Sequence, residues 1–250
     1  MLRRLRPTVV AGFVTGLLVV AATLSGCGAA GRANPEKYPP TGVDELVIPT
    51  PAPDPDDFVH TVDNPWFPLA LGTVWTYDVS GSEVDTLTVS VDDRREVVAG
   101  VSCVVVRRTA TAADGKVVRD GVTYYAQDRL GNVWTFGEET TRGTPSRSWR
   151  AGEEGAEAGL AMPATPRVGD GYLHGRAPGV ADRSTVLSLD EELTVPAGTV
   201  RGLLLTEDTV GDPAGDLVVR RSYAEGTGLV EESTMTGGTE RAVLASVTPG

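Results

Sequence analysis

The chain has 250 residues, 40% hydrophobic and 22% charged, with 22 basic against 34 acidic side chains and a net charge of −12. Such an acidic surface repels phosphate backbones and anionic headgroups, which excludes nucleic acid as the expected partner. Two cysteines and two histidines are also too few for a disulfide framework or a convincing zinc site.

Met1 to Pro7 carries Arg3, Arg4 and Arg6 and no acid, and Thr8 to Leu24 follows as 17 uncharged, mostly apolar residues. This run is slightly short of the ~20 residues that span a bilayer. A basic head, an apolar middle and small residues after it read as a secretory signal over residues 1–26. The stretch Leu24-Ser25-Gly26-Cys27 resembles the lipobox of bacterial lipoproteins. The resemblance implies cleavage between Gly26 and Cys27, acylation of Cys27 with diacylglyceryl and palmitate chains, and a lipid anchor on the extracytoplasmic face of the cell membrane. Two or more acyl chains, at ~0.8 kcal/mol per buried methylene, hold a protein there stably. Losing Arg3, Arg4 and Arg6 would take the chain from 22 to 19 basic residues against 34 acidic, a net charge of −15. With Cys27 given to lipid, Cys103 has no intramolecular partner, and its apolar setting, Val101-Ser-Cys-Val-Val-Val106, predicts a buried, inert thiol.

Residues 27–57 read as the lipidated cysteine and a spacer. Pro35, Pro39, Pro40, Pro49, Pro51, Pro53 and Pro55 favour extended polyproline II segments, at ~3.1 Å per residue. A solvated tether is the expectation.

Residues 58–250 alternate with period two. Trp75, Tyr77 and Val79 share one face, as do Leu87, Val89 and Val91, and turn signals at Ala113-Asp-Gly115, Leu130-Gly-Asn132 and Gly211-Asp-Pro213 separate such runs. This predicts an all-β domain built as an antiparallel meander. Within it VSVDDRREVVAG, from Val89 to Gly100, returns 98 residues later as LSLDEELTVPAG, from Leu187 to Gly198. The same offset carries Tyr125-Ala126 onto Tyr223-Ala224, and one residue less carries Gly131 onto Gly228 and Trp75 onto Tyr172. Two tandem copies of one unit are expected, about 66–140 and 164–235. One meander leaves an apolar face and open edges, which a second copy covers. The product would be a barrel, half-barrel or sandwich of about ten to twelve strands. The Ala99-Gly100 and Ala197-Gly198 dyads look like turns, and Tyr125 and Tyr223 like equivalent packing positions.

Asn64-Pro-Trp-Phe-Pro-Leu69, Tyr125-Ala-Gln-Asp128 with Gly131-Asn-Val-Trp-Thr-Phe-Gly137, and Val195-Pro-Ala-Gly-Thr199 together resemble an uncharacterised family of secreted or lipid-anchored bacterial proteins. The resemblance implies membership and no activity.

Candidate chemistry is sparse. His174, Asp170 and Ser184 could supply a base, an acid and a nucleophile, but no nucleophile elbow accompanies them, and surface roles are expected for His60 and His174. The acidic clusters at Asp54 to Asp57, Asp92-Asp93 and Asp190 to Glu192 lack calcium-loop spacing, and the last two occupy matching places, which favours a shared turn. No catalytic residue, metal site or cofactor is assigned. The aromatics concentrate in the first copy. One better-built core would explain this; so would an apolar-ligand or glycan site lined by Trp75, Tyr77, Tyr125, Trp134 and Phe136. The expected function is a non-enzymatic envelope lipoprotein binding an apolar or glycan ligand or an envelope protein partner. The alternatives are an envelope hydrolase and a structural or assembly factor without a ligand.

Overall fold

A computed structural model describes residues 53–143, 148–180, 182–196, 198–211 and 217–250. The secretory signal, the cleavage and lipidation positions Gly26 and Cys27, the tether up to residue 52, and Ala197 lie outside the described residues.

The described chain is all-β, as the alternation predicts. Its strands are β1 (Phe58–Val59), β2 (Val74–Ser80), β3 (Thr86–Val98), β4 (Val101–Thr111), β5 (Val117–Asp128), β6 (Val133–Arg142), β7 (Ser148–Arg150), β8 (Glu157–Met162), β9 (Gly171–Leu173), β10 (Gly175–Arg176), β11 (Arg183–Val195), β12 (Gly198–Val210), β13 (Leu217–Ala224), β14 (Gly228–Thr236) and β15 (Arg241–Thr248). The excess over ten to twelve lies in β1, β7, β9 and β10, which have two or three residues each and carry no readable period. Among the described residues the one other regular element is a 3-10 turn, Pro55–Asp57, capped by the Asp54 side chain accepting from Asp56 N–H at 3.0 Å.

All strands pair into one sheet, in the order β10-β8-β6-β5-β4-β3-β2-β15-β14-β13-β12-β11-β9, with β1 on β5 and β7 on β6. Two runs of strands, β2 to β8 and β11 to β15 with β9, lie side by side in the same direction, and β10 is added at the β8 end. The last strand therefore joins the first long one, β15 on β2, with Leu244 opposite Tyr77. The hydrogen-bonded order is open. Its ends, β9 and β10, are nonetheless separated in the chain by His174 alone, so the sheet bends round until its edges meet at that residue.

The two quoted stretches occupy β3 and β11, each 13 residues long. Ser90 faces Arg107 and Ser188 faces Leu205, so both partners keep the 98-residue offset. The acidic pairs do not form turns. Asp92-Asp93 falls in the register shift between Val91 and Arg95, and Asp190 to Glu192 in the shifts between Ser188 and Glu192: both clusters interrupt the regular pairing of their strands. The hairpins differ by one residue. Val98 pairs with Val101 around Ala99 and Gly100, whose φ of 49° and 81° define the left-handed pair of a two-residue hairpin. In the second stretch Val195 pairs with Gly198, so the pairing closes one residue earlier than the 98-residue offset predicts. Pro196 stands where that offset puts the paired Val98, and without an N–H it cannot donate the closing ladder bond.

The first core cluster joins the two runs: Trp75, Tyr77, Val89, Val104 and Val106 from one, Val186, Leu203, Leu204, Tyr223 and Val230 from the other. A second cluster covers the opposite face of the first run alone, where Cys103, Val105, Tyr124, Trp134 and Phe136 meet Ala151, Ala158 and Leu160 of the segment folded over them. Strand β4 is thus buried on both sides, which is why it reads as a continuous apolar run. Cys103 has no exposed surface, and burial pushes its thiol up to about 12.

Candidate functional site

The Asn64-Pro-Trp-Phe-Pro motif closes one side of the first core. Asn64, 2% exposed, donates to the carbonyls of Gly131 (2.9 Å) and Pro163 (3.1 Å) and accepts from Trp66 N–H (2.9 Å). The Gln127 side chain accepts from the N–H groups of Asp63 and Asn64, both at 2.9 Å. Pro65 accepts from Gly226 N–H at 2.7 Å, tying the segment to the turn before β14. So fixed, the segment drives Phe67 between two tyrosines, Tyr125 with ring centroids 5.2 Å away and Tyr223 at 6.3 Å.

Below Phe67 lies a cavity of about 300 Å³ whose wall belongs to both runs of strands. Its residues follow the period of two: Trp75 and Tyr77 on β2, Val106 and Arg108 on β4, Thr123 and Tyr125 on β5, Asp208 and Val210 on β12, Arg221 and Tyr223 on β13. The polar ends of two aromatics are turned into the framework, Trp75 Nε1 donating to Thr227 O (2.8 Å) and Tyr77 Oη to Leu229 O (2.9 Å), which leaves apolar ring surface to the interior.

The wall also carries charge. Arg108 pairs with Glu232 at 3.1 Å, Glu232 with Arg221 at 2.7 Å, and Arg221 with Asp208, which also accepts from Ser184 Oγ. Burial alone would raise the Glu232 carboxyl; the guanidinium groups of Arg108 and Arg221 override it and bring it down to about 2. His174 Nε2 stands 3.9 Å from Asp208 Oδ1, too far for a hydrogen bond. Burial lowers its pKa, Asp208 opposes that shift and Arg221 adds to it, so the imidazole is neutral near pH 7. A second cavity of about 260 Å³ shares Arg108, Thr123, Glu138 and Val210 with the first and is lined by Arg119, Asp120, Glu139 and Glu240. The ion pair of Arg108 and Glu232 therefore stands between an aromatic chamber and a polar one.

Of the five aromatics expected to form a site, the structure brings Trp75, Tyr77 and Tyr125 together on the cavity wall. Trp134 and Phe136, 1% and 0% exposed, point the other way into the second core, because the residue between them, Thr135, is the one that pairs with Tyr125. The aromatic excess is thus divided between the cavity wall and the second core. Trp134 is held there by Asp128, which accepts from Trp134 Nε1 (2.8 Å), Asn132 Nδ2 (2.9 Å) and the N–H groups of Leu130 and Asn132 (both 2.9 Å). This accounts for the Asp128, Asn132 and Trp134 of the motif as one hairpin device.

His174 is on the cavity wall, and Ser184 is buried beside Asp208. Asp170 is elsewhere, accepting from Arg167 N–H at 2.9 Å in a turn, and His60 is exposed. Phe67 and Trp149 line the cavity beyond the five expected aromatics, and nothing in the sequence analysis points to Arg108, Asp208, Arg221 or Glu232. A usable signal existed for three: Arg108 lies two residues from Val106, Arg221 two from Tyr223, and Asp208 four from Leu204, each a charge on the core parity of its strand.

No family model and no curated protein matches the chain. Two solved structures are similar to it: a candidate exported protein with a YmcC-like fold from Bacteroides fragilis (14% identity, TM-score 0.46) and a candidate lipoprotein from Parabacteroides distasonis (14% identity, TM-score 0.43), each match covering 73% of this chain and 98% of the other.

Proposed function

We propose that this chain is an extracytoplasmic lipoprotein, anchored to the cell membrane through an acylated Cys27, whose β domain binds a small ligand with substantial apolar surface. The observation that carries the binding role is the aromatic-floored cavity of about 300 Å³, at the lower end of the ~300–1,000 Å³ of small-molecule sites. The anchor rests on the lipobox. The two runs of strands are read as tandem copies, supported by the equivalent partners of Ser90 and Ser188 and by the register shift at each acidic cluster. Duplication gives the ligand role its physical basis: neither run encloses the space, and side by side they do.

Labelled palmitate is expected to mark the exported chain and to be lost in Cys27→Ser. A native mass spectrum of the full chain released from its host's membranes is expected to carry a small apolar mass beyond the N-terminal acyl chains. Bare protein in every preparation refutes a captured ligand, and a bound oligosaccharide instead would move the assignment to glycans.

A hydrolase is the second reading, because His174 and Asp208 stand on the cavity wall with Ser184 buried beside Asp208. Their order opposes it. Ser184 gives its proton to Asp208, whereas nucleophilic catalysis needs the hydroxyl on the imidazole and the carboxylate behind it. Hydrolysis of short-chain p-nitrophenyl esters that is abolished by Ser184→Ala would reinstate it.

A further inference from the structure

Three buried side-chain polar atoms among the described residues have no hydrogen-bond partner: Trp149 Nε1, His174 Nε2 and Thr206 Oγ1. The residues bearing the first two both line the larger cavity, and Thr206 does not. Such an atom ordinarily costs about 1–3 kcal/mol, so two on one cavity wall suggest groups that a ligand completes. They are held in place by a tight seam. A Cβ on Gly175 would lie 2.6 Å from the Trp149 ring, so glycine there lets the indole pack flat against β10, the residue after His174.

The two groups also constrain the ligand's chemistry. The indole N–H can only donate. The Asp208 carboxylate, 3.9 Å from Nε2 of His174, favours the tautomer that carries its proton on that nitrogen, so the imidazole donates as well. Two donors ask for an acceptor oxygen. An anionic acceptor is disfavoured, because the wall sets two guanidinium groups, Arg108 and Arg221, against three carboxylates, Glu138, Asp182 and Asp208, with Glu232 paired behind them. The guanidiniums are already engaged by Glu232 and Asp208.

Resting on the binding function proposed above, we infer that the cavity takes a neutral amphiphile, its aliphatic part against Trp75, Tyr77 and Tyr125 and a hydroxyl or ester oxygen accepting from Trp149 Nε1 and His174 Nε2. The full chain in lipid nanodiscs, labelled with 5-fluorotryptophan, tests this by fluorine NMR, with empty discs as the partition control. Trp75 on the cavity wall is the reporter, and 1-decanol, decanoate and decane are the probes.

Decanol should shift the Trp75 resonance saturably and bind at least tenfold more tightly than decanoate. Trp149→Phe and His174→Leu should each weaken decanol by roughly tenfold and leave decane unchanged, the decane response showing that the cavity of each variant is intact. Decanol binding insensitive to both substitutions, or decanoate binding as tightly as decanol, overturns the assignment while the apolar site stands. Failure of all three probes to shift Trp75 overturns the binding function itself.

Discussion

Tyr125 and Tyr223, separated by 98 residues, pack against the same ring, that of Phe67, from the two halves of the sheet. The contact with Tyr125 is edge-on, with an interplanar angle of 64°, and the one with Tyr223 is tilted at 50°. One aromatic from a proline-flanked lead-in segment therefore joins the two runs where their shared cavity opens. Edge-on aromatic pairs contribute about 0.5–1.5 kcal/mol beyond burial. Phe67→Ala is expected to destabilise by about 2 kcal/mol, below the 3–5 of a fully buried phenylalanine because Phe67 is only partly buried. Denaturant unfolding of the parent and the three variants in a Phe67→Ala, Tyr125→Leu cycle should show coupling of about 1 kcal/mol. Coupling within error of zero would mean that Phe67 is a lid without structural weight.

The hairpin between β5 and β6 depends on one carboxylate. Asp128 is 8% exposed and accepts four hydrogen bonds, three of them from donors on buried residues, Asn132 N, Asn132 Nδ2 and Trp134 Nε1. Removing the acceptor leaves these donors dry and unpaired, so Asp128→Ala is expected to cost about 3 kcal/mol or more, and Asp128→Asn less, since an amide oxygen still accepts. Urea midpoints give the ranking. Equal stability of Asp128→Ala and the parent chain would show that water reaches the turn and replaces the carboxylate.

The all-β class and the shared face of Trp75 and Tyr77 were legible from alternation within a strand, and the inert burial of Cys103 from the continuous apolar run around it. What alternation cannot supply is the register between strands and the chain folded over the back. Trp134 and Phe136 stand close to Tyr125 in sequence spacing and yet face the other way, since a register shift between Tyr124 and Tyr125 places Thr135 on the cavity side. Trp149 belongs to a three-residue strand with no period of its own, and its role depends on Gly175, 26 residues later. The charge network was hidden for another reason. Arg108, Asp208, Arg221 and Glu232 read individually as solvated strand residues; Arg221 meets Glu232 and Asp208 through the register of neighbouring strands, and the curvature that brings β4 to β14 adds Arg108.

That network makes stability depend on acid. Glu232, with its pKa lowered from an ordinary 4.5 to about 2, holds fewer protons folded than unfolded between those values. Its contribution is therefore fully present above about pH 4.5 and is lost as pH falls through about 2. Its side chain is 16% exposed and that of Arg108 is 38%, so solvent screening reduces the effect to the order of 2 kcal/mol. Glu232→Gln should accordingly be less stable than the parent at pH 7, with the gap narrowing steadily between pH 4.5 and 2. Guanidinium chloride midpoints for both chains across that range decide it. A gap that persists unchanged at pH 2 would mean that the glutamine disrupts packing, and that the charge linking Arg108 to Arg221 is not what holds the two halves of the cavity wall together.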